Sequence, residues 1–196
     1  GMDATPAAAW RAYQGISPNA VDEKELIERF KPKPPVGGHK NPTYAAMIYS
    51  VDESVGRVLA VLDELKLANN TVVIFSSDNG GPRPGVVTSN GPLRAGKHTL
   101  YEGGVHTCAF ATWDGHIKSG SSVSAMMHMV DWYPTLLRLA GAKLEQSTAL
   151  DGRDVWPVLT ADAKSPHDAI LLNTTPANGA VRMGDWKLVV GGNRND

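Results

Sequence analysis

Asp78 and Asn79 place a carboxylate and an amide oxygen side by side, followed at once by Gly80-Gly81. Hard divalent cations such as calcium take oxygen ligands of that kind. The same residues have a purely conformational use, because Asp, Asn and Gly tolerate the positive φ that tight turns demand. The local sequence leaves both readings open. Other groups have plainer roles at this level. Cys108 is the single cysteine, so an intrachain disulfide framework and a multi-cysteine zinc site are both excluded. It reads as a small core residue on a strand edge, since free cysteine is often buried. His128 lies among Met126, Met127, Met129 and Val130 and reads as a satisfied buried imidazole, not a ligand. Asp131 reads as the cap of a helix opened by Pro134. Arg94 reads as a fork bracing its loop, paired with Glu102 or an interior carboxylate. Lys97 has the base-rate reading of a solvated surface lysine, and His98 and His106 carry no local assignment.

These residues need a frame, and the apolar pattern supplies one. Tyr44, Met47, Ile48, Val51, Val55, Val58, Leu59, Leu62 and Leu65 recur mostly at spacings of three and four, which predicts an amphipathic helix ending near 67–70. The run 71–76, Thr-Val-Val-Ile-Phe-Ser, reads as a strand buried on both faces. A long helix feeding such a strand predicts an α/β layer fold, and open sheets of that class place ligands at the carboxyl ends of their strands. Asp78-Asn79 sits at that end. Further on, 109–113 reads as a short strand and 133–140 as a helix with Pro134 in its first turn and Gly141 at its end. The segments 170–173, 180–183 and 186–190 read as short strands, the last two joined by a tight hairpin at Gly184-Asp185.

The predicted organisation is an irregular lead over 1–43 with a short helix at 22–30, an α/β portion over 44–160, and the start of a small antiparallel subdomain over 161–196. The lead, rich in Pro and Gly, reads as a surface approach and not as core. A formal charge of -1 with no dense basic run leaves no electrostatic footprint for nucleic acid or an anionic membrane surface. No stretch approaches the roughly 18 apolar residues of a membrane span. Gly1-Met2-Asp3 lacks the charged and apolar regions of a signal peptide, and Gly1 reads as an addition ahead of Met2. Asn69-Asn70-Thr71 and Asn173-Thr174-Thr175 fit the glycosylation pattern, the first being better explained as a helix end.

Specificity comes from the next segment. Leu93-Arg94-Ala95-Gly96-Lys97 followed by Tyr101-Glu102-Gly103-Gly104 is similar to the second signature region of type I sulfatases, at the expected distance after Ser77-Asp78-Asn79-Gly80-Gly81. Tyr44-Ala45-Ala46-Met47-Ile48, Asp52-Glu53-Ser54-Val55-Gly56-Arg57, Asp131-Trp132-Tyr133-Pro134-Thr135-Leu136-Leu137, Leu150-Asp151-Gly152 and Gly184-Asp185-Trp186-Lys187-Leu188 resemble further landmarks in the family's order. The resemblance runs from about Asp22 to Val190. It implies the layered helix-sheet-helix core of the alkaline phosphatase-like fold, truncated, with a small antiparallel segment behind it. It also implies a sulfuric ester hydrolase, calcium held by Asp78 and Asn79, Lys97 on the sulfate, His98 as a further candidate, and an exported protein.

The family's formylglycine motif, Cys/Ser-x-Pro/Ala-x-Arg, has no counterpart in these residues: Cys108 is followed by Ala109-Phe110-Ala111-Thr112. The family's first paired aspartates have none either, and Ile16-Ser17-Pro18 stands where a sulfate-contacting His-x-Pro is expected. The chain is therefore expected to be a portion of a sulfatase that ends early at Asn195-Asp196, inactive alone, with weak calcium binding or none. An unpaired sheet edge would favour self-association. The alternatives are a phosphate or phosphonate ester hydrolase on the same architecture and a degenerate, non-catalytic relative.

Overall fold

The computed structural model describes residues 23–82, 85–175 and 177–191. Asp22, Ile16-Ser17-Pro18 and Asn195-Asp196, which figured in the expectations above, lie outside the described residues. The elements are α1 (Glu23–Phe30), α2 (Pro42–Glu64), β1 (Val73–Ser76), α3 (Glu102–Val105), β2 (Ala109–Thr112), α4 (Trp132–Leu139), α5 (Trp156–Thr160), β3 (Ile170–Thr175), β4 (Asn178–Met183) and β5 (Trp186–Val190). They fall into two compact units, one of residues 1–71 with 76–109 and one of 72–75 with 110–196.

In the first unit, the ends of α2 are written in the sequence. The Asn41 side chain accepts a hydrogen bond from the Tyr44 amide at 3.0 Å, and Pro42 opens the helix where no donor is needed. At the other end Lys66 takes a positive φ of 58°, so that Leu67 N donates to Leu62 O and Lys66 N to Asp63 O. This is a Schellman ending made without glycine, followed by a 3-10 turn at Ala68–Asn70. The helix packs on α1 through Leu26 and Ala46, with Ile27, Phe30 and Tyr49 around them. The rings of Phe30 and Tyr49 meet edge to face at 5.9 Å.

Two expectations change here. The lead was expected to contribute no core, yet Leu26 is 1% exposed. Breakers flank α1, but Leu26, Ile27 and Phe30 share one helical face, and that face finds α2. The apolar stripe of α2, in turn, is not buried as a whole: Ile48, Val51, Val58, Leu59 and Leu65 are exposed, while the buried positions are Ala46 and Ser50. A stripe is covered only where a partner element meets it, and α1 covers a single patch.

Tyr44 stands half-buried in the first turn of α2. Burial raises its phenol above the ordinary value of 10.0, and the charge of the Cys108 thiolate adds repulsion. Because the folded state disfavours the phenolate, its contribution to stability is complete below the unfolded-state value and is lost as pH rises through the folded one. Stability should therefore fall above about pH 10, and less steeply in Tyr44→Phe. Chemical denaturation midpoints at neutral and alkaline pH check this; identical slopes for the two proteins would contradict it.

In the second unit, β1 pairs with β2. The expectation of a strand buried on both faces fails: β1 is half-buried, with Phe75 exposed and lying 6.1 Å from Phe110. A β-branched run specifies a strand, but burial on two faces requires covering layers, and among the described residues β2 is its sole paired strand. Cys108, expected in the core, is exposed; it precedes a strand whose residues are themselves mostly exposed.

Asp131 organises the rest of this unit, and not by capping α4. That helix receives no side-chain cap from it. Its buried carboxylate instead accepts from His128 N at 2.7 Å, Arg153 N at 2.8 Å and His167 Nε2 at 2.7 Å, so the segments preceding α4, α5 and β3 converge on one acceptor. His128, expected to be buried, is half-buried, and its Nδ1 accepts from Val130 N at 3.3 Å. Thr135, fully buried, donates to Asp131 O and accepts from Val155 N. The sheet β3-β4-β5 is antiparallel, with Leu171 opposite Val181 and Val181 opposite Leu188. Its β4-β5 turn is the expected Gly184-Asp185, with Gly184 at φ 55°.

Candidate functional site

The residues with site chemistry belong to the first unit and are brought together by backbone. At the end of β1, Ser77 N donates to Cys108 O at 3.1 Å, and Ser77 Oγ donates to Asn79 O at 2.8 Å, which fixes the turn carrying Asp78 and Asn79. The Asn79 amide nitrogen donates to Gly80 O at 3.1 Å. Its Oδ1 and the exposed Asp78 carboxylate have no hydrogen-bond partner among the described residues. The turn reading and the ligand reading are thus compatible: the donors shape the turn, and the acceptor oxygens remain available.

Four glycines let the loops that follow close on this turn. Gly80 N donates to Gly104 O at 2.9 Å, Gly103 N to Arg94 O at 2.8 Å and Lys97 N to Gly81 O at 3.1 Å. A Cβ on Gly80 would lie 1.7 Å from Gly103 O, so the approach is open to glycine alone. Lys97 is half-buried, and its ammonium forms no ion pair or hydrogen bond among the described residues. His98 follows it at φ 75°, exposed and without a ring partner among those residues. The structure therefore links the Asp78-Asn79 turn to the Lys97 loop through shared backbone hydrogen bonds.

The flanking groups are structural. Arg94 lies over the Tyr101 ring, 3.9 Å from its centroid, a stacking that the carboxylate expectation did not include. Glu102 meets His106 Nδ1 at 3.2 Å. Sequence reasoning missed Thr88, which is 2% exposed and donates to Pro82 O, and it gave Asn90 no role. Asn90 lies three residues before the Leu93–Lys97 signature, but its type alone does not name the backbone groups it meets.

Cation chemistry at this turn is restricted by number. Among the described residues no three His, Cys, Asp or Glu side chains gather in a way that could hold a metal ion. Asp78 and Asn79 have the oxygen chemistry that calcium prefers, but they supply a fraction of the six to eight oxygens of a calcium shell. The residues fit as part of a site.

Comparison with known proteins shows the family of the chain. The sulfatase family model matches residues 7–142. The chain is 36% identical over 143 residues to arylsulfatase J of Mus musculus, covering 73% of this chain and 24% of that protein. It is 41% identical over 133 residues to steryl-sulfatase of the same species, covering 64% and 21%. Its structure is similar to that of Ps i-CgsB in complex with k-i-k-neocarrahexaose, with a TM-score of 0.76, 28% identity, and coverage of 94% of this chain and 46% of the other. PsFucS1 sulfatase from Pseudoalteromonas sp. follows at a TM-score of 0.65 and 26% identity, covering 92% and 39%. The chain spans about a quarter of the length of the curated relatives it matches. Its mixed helix and sheet content, with small sheets, is part of the α/β fold that those structures display. On the family match, the ordered landmarks and this structural likeness, the chain belongs to the sulfatase family.

Proposed function

We propose that the protein of which these residues form a part hydrolyses sulfate esters, with Asp78 and Asn79 on a calcium ion and Lys97 on the sulfate group. The observation that carries this reading is the set of polar ends without partners among the described residues: the Asp78 carboxylate, Asn79 Oδ1 and the half-buried Lys97 ammonium. Partly buried charges and amides are mostly paired; Asn79 Oδ1 and the Lys97 ammonium are exceptions among the described residues, and the Asp78 carboxylate stands exposed on the same turn as Asn79. Three such groups on loops locked together by backbone bonds are suited to an anionic ligand and its counter-cation.

Each group has a distinct task. Asp78 and Asn79 would hold the cation at the strand end, and the cation when bound would supply Lewis-acid polarisation of the sulfate oxygens. Lys97, a compact point charge, would offset the negative charge that builds on the sulfate oxygens in the transition state. His98, exposed and next to Lys97 in the chain, is a further candidate without an assigned role. The formylglycine nucleophile and the remaining calcium oxygens would come from outside these 196 residues. Alone, the chain is expected to turn nothing over, because removing the nucleophile removes the covalent step.

The names of similar proteins support sulfate over phosphate, since they include an arylsulfatase, steryl-sulfatases and N-acetylgalactosamine-6-sulfatases. The decisive assay uses the product of the complete reading frame that contains this segment, offered p-nitrophenyl sulfate and p-nitrophenyl phosphate at equal concentration. Dominant release from the sulfate is expected. Dominant phosphatase turnover would favour the ester-hydrolase alternative, and no turnover of either would favour a non-catalytic relative.

A further inference from the structure

The geometry points to Asn90 as a positioning residue, which sets the Lys97 loop against the Asp78-Asn79 turn and so places the ammonium relative to the cation ligands. The inference rests on the sulfatase reading above for its catalytic consequence, but the latch itself stands on hydrogen bonds alone. Asn90 Oδ1 accepts from Gly81 N at 2.9 Å, and Asn90 Nδ2 donates to Gly81 O at 3.1 Å and to Ala95 O at 3.0 Å. One side chain thus grips both polar groups of residue 81 and a carbonyl of the loop that carries the lysine. Gly81 O is also the acceptor of Lys97 N at 3.1 Å, so Asn90 and Lys97 share one oxygen.

The pattern calls for a side-chain amide. An amide has an acceptor oxygen and two N–H donors in one plane, and the Gly81 peptide presents its own donor and acceptor side by side. Aspartate has the same shape but no donor when ionised, so it would set a negative oxygen against Gly81 O and Ala95 O. Alanine would leave Gly81 N and Ala95 O without these partners in a part-buried place, and Gly81 O with Lys97 N alone. Space is also tight on the other side: a Cβ on Gly81 would come within 2.3 Å of Thr88 Oγ1 and 2.9 Å of Asn90 Oδ1. The turn is held between Thr88 and Asn90, and neither side chain is itself aimed at a ligand.

Asn90 therefore acts through Lys97, and its loss should be felt as misplacement of the ammonium. An error of about 1 Å in a positioned group is enough to lower turnover by up to about 10²-fold. In the complete protein, Asn90→Ala and Asn90→Asp are each expected to lower kcat for p-nitrophenyl sulfate by about 10- to 10²-fold with little change in KM. In a Lys97→Ala background, adding Asn90→Ala should change kcat by no more than about twofold, because the group it positions is gone. Full additivity, or an Asn90→Asp variant with unchanged kcat, would overturn the proposal.

A second readout separates this proposal from the functional one. In the 196-residue chain, amide hydrogen exchange at Gly81 and Lys97 should accelerate by about tenfold or more in Asn90→Ala, while Ser77 and Leu67, bonded elsewhere, keep their rates. Unchanged exchange at Gly81 and Lys97 would remove the latch whatever the enzyme does. Faster exchange in a complete protein with no sulfatase activity would keep the latch and discard the reading of the site.

Discussion

Replacement of Lys97 by alanine should lower kcat/KM for p-nitrophenyl sulfate by about 10²- to 10³-fold in the complete protein, the range typical of removing one preorganised oxyanion contact. The size of the effect follows from where the charge acts. Charge accumulates on the sulfate oxygens as the ester bond breaks, and a fixed ammonium in a half-buried site stabilises it more than water can. The structure makes the experiment clean. Because the Lys97 ammonium has no partner among the described residues, its removal breaks no ion pair that the fold uses. The bond from Lys97 N to Gly81 O at 3.1 Å is backbone and survives the substitution. Stability should change by no more than about 0.5 kcal/mol, as for an ordinary surface change. Lys97→Arg should recover part of the rate and not all of it, since guanidinium is planar and longer than ammonium. Loss of less than about threefold in Lys97→Ala would remove the lysine from the sulfate contact, against the benchmark of about 10² for such donors.

What the sequence could reveal of this site follows the range of the interactions involved. The course of α2 was legible because its cap, its proline and its three-and-four spacing are all local. The Asp78-Asn79 turn was legible for the same reason, and the Gly184-Asp185 hairpin likewise. Burial was not. Leu26 is core because α1 meets α2 across a breaker-rich link, and Phe75 is exposed because its strand has little covering it. Neither fact is a property of the residue alone. Asp131 is the clearest case: a cap was the natural reading, yet two of its three donors lie 22 and 36 residues away. The Asp131 segment stood among the ordered landmarks while Asn90 had no assigned role, and the hydrogen bonds explain what each does. Asp131 joins three segments of one unit, and Asn90 joins two loops of the other.

Gly103→Ala should destabilise the chain by about 3 kcal/mol or more, near the upper end of single-substitution effects. A Cβ there would sit 2.2 Å from Ala95 O and 2.4 Å from Arg94 O, where real Cβ atoms essentially never come within 3.0 Å. The obstacle is backbone, so no side chain can swing aside. Retreat is also costly, because Gly103 N is hydrogen-bonded to the same Arg94 carbonyl at 2.8 Å, and Gly80 N to Gly104 O at 2.9 Å. Moving the segments apart would strand buried donors and acceptors at about 1–3 kcal/mol each. For a chain of this size the expected loss corresponds to a fall in Tm of about 6–12 °C. Gly56→Ala supplies the opposite case. Gly56 lies inside α2 with nothing within 4 Å of the added atom, so alanine meets open space. Helix propensity then favours it by about 0.5–1 kcal/mol, or about 1–4 °C. Thermal unfolding followed by circular dichroism compares the two directly. A Gly103→Ala protein that melts within 2 °C of the parent, against the fall of about 6–12 °C, would mean that the loops yield. The close backbone approach would then not be what holds Lys97 beside the Asp78-Asn79 turn, since residues 94 and 95, against which the new methyl would press, lead directly into Lys97.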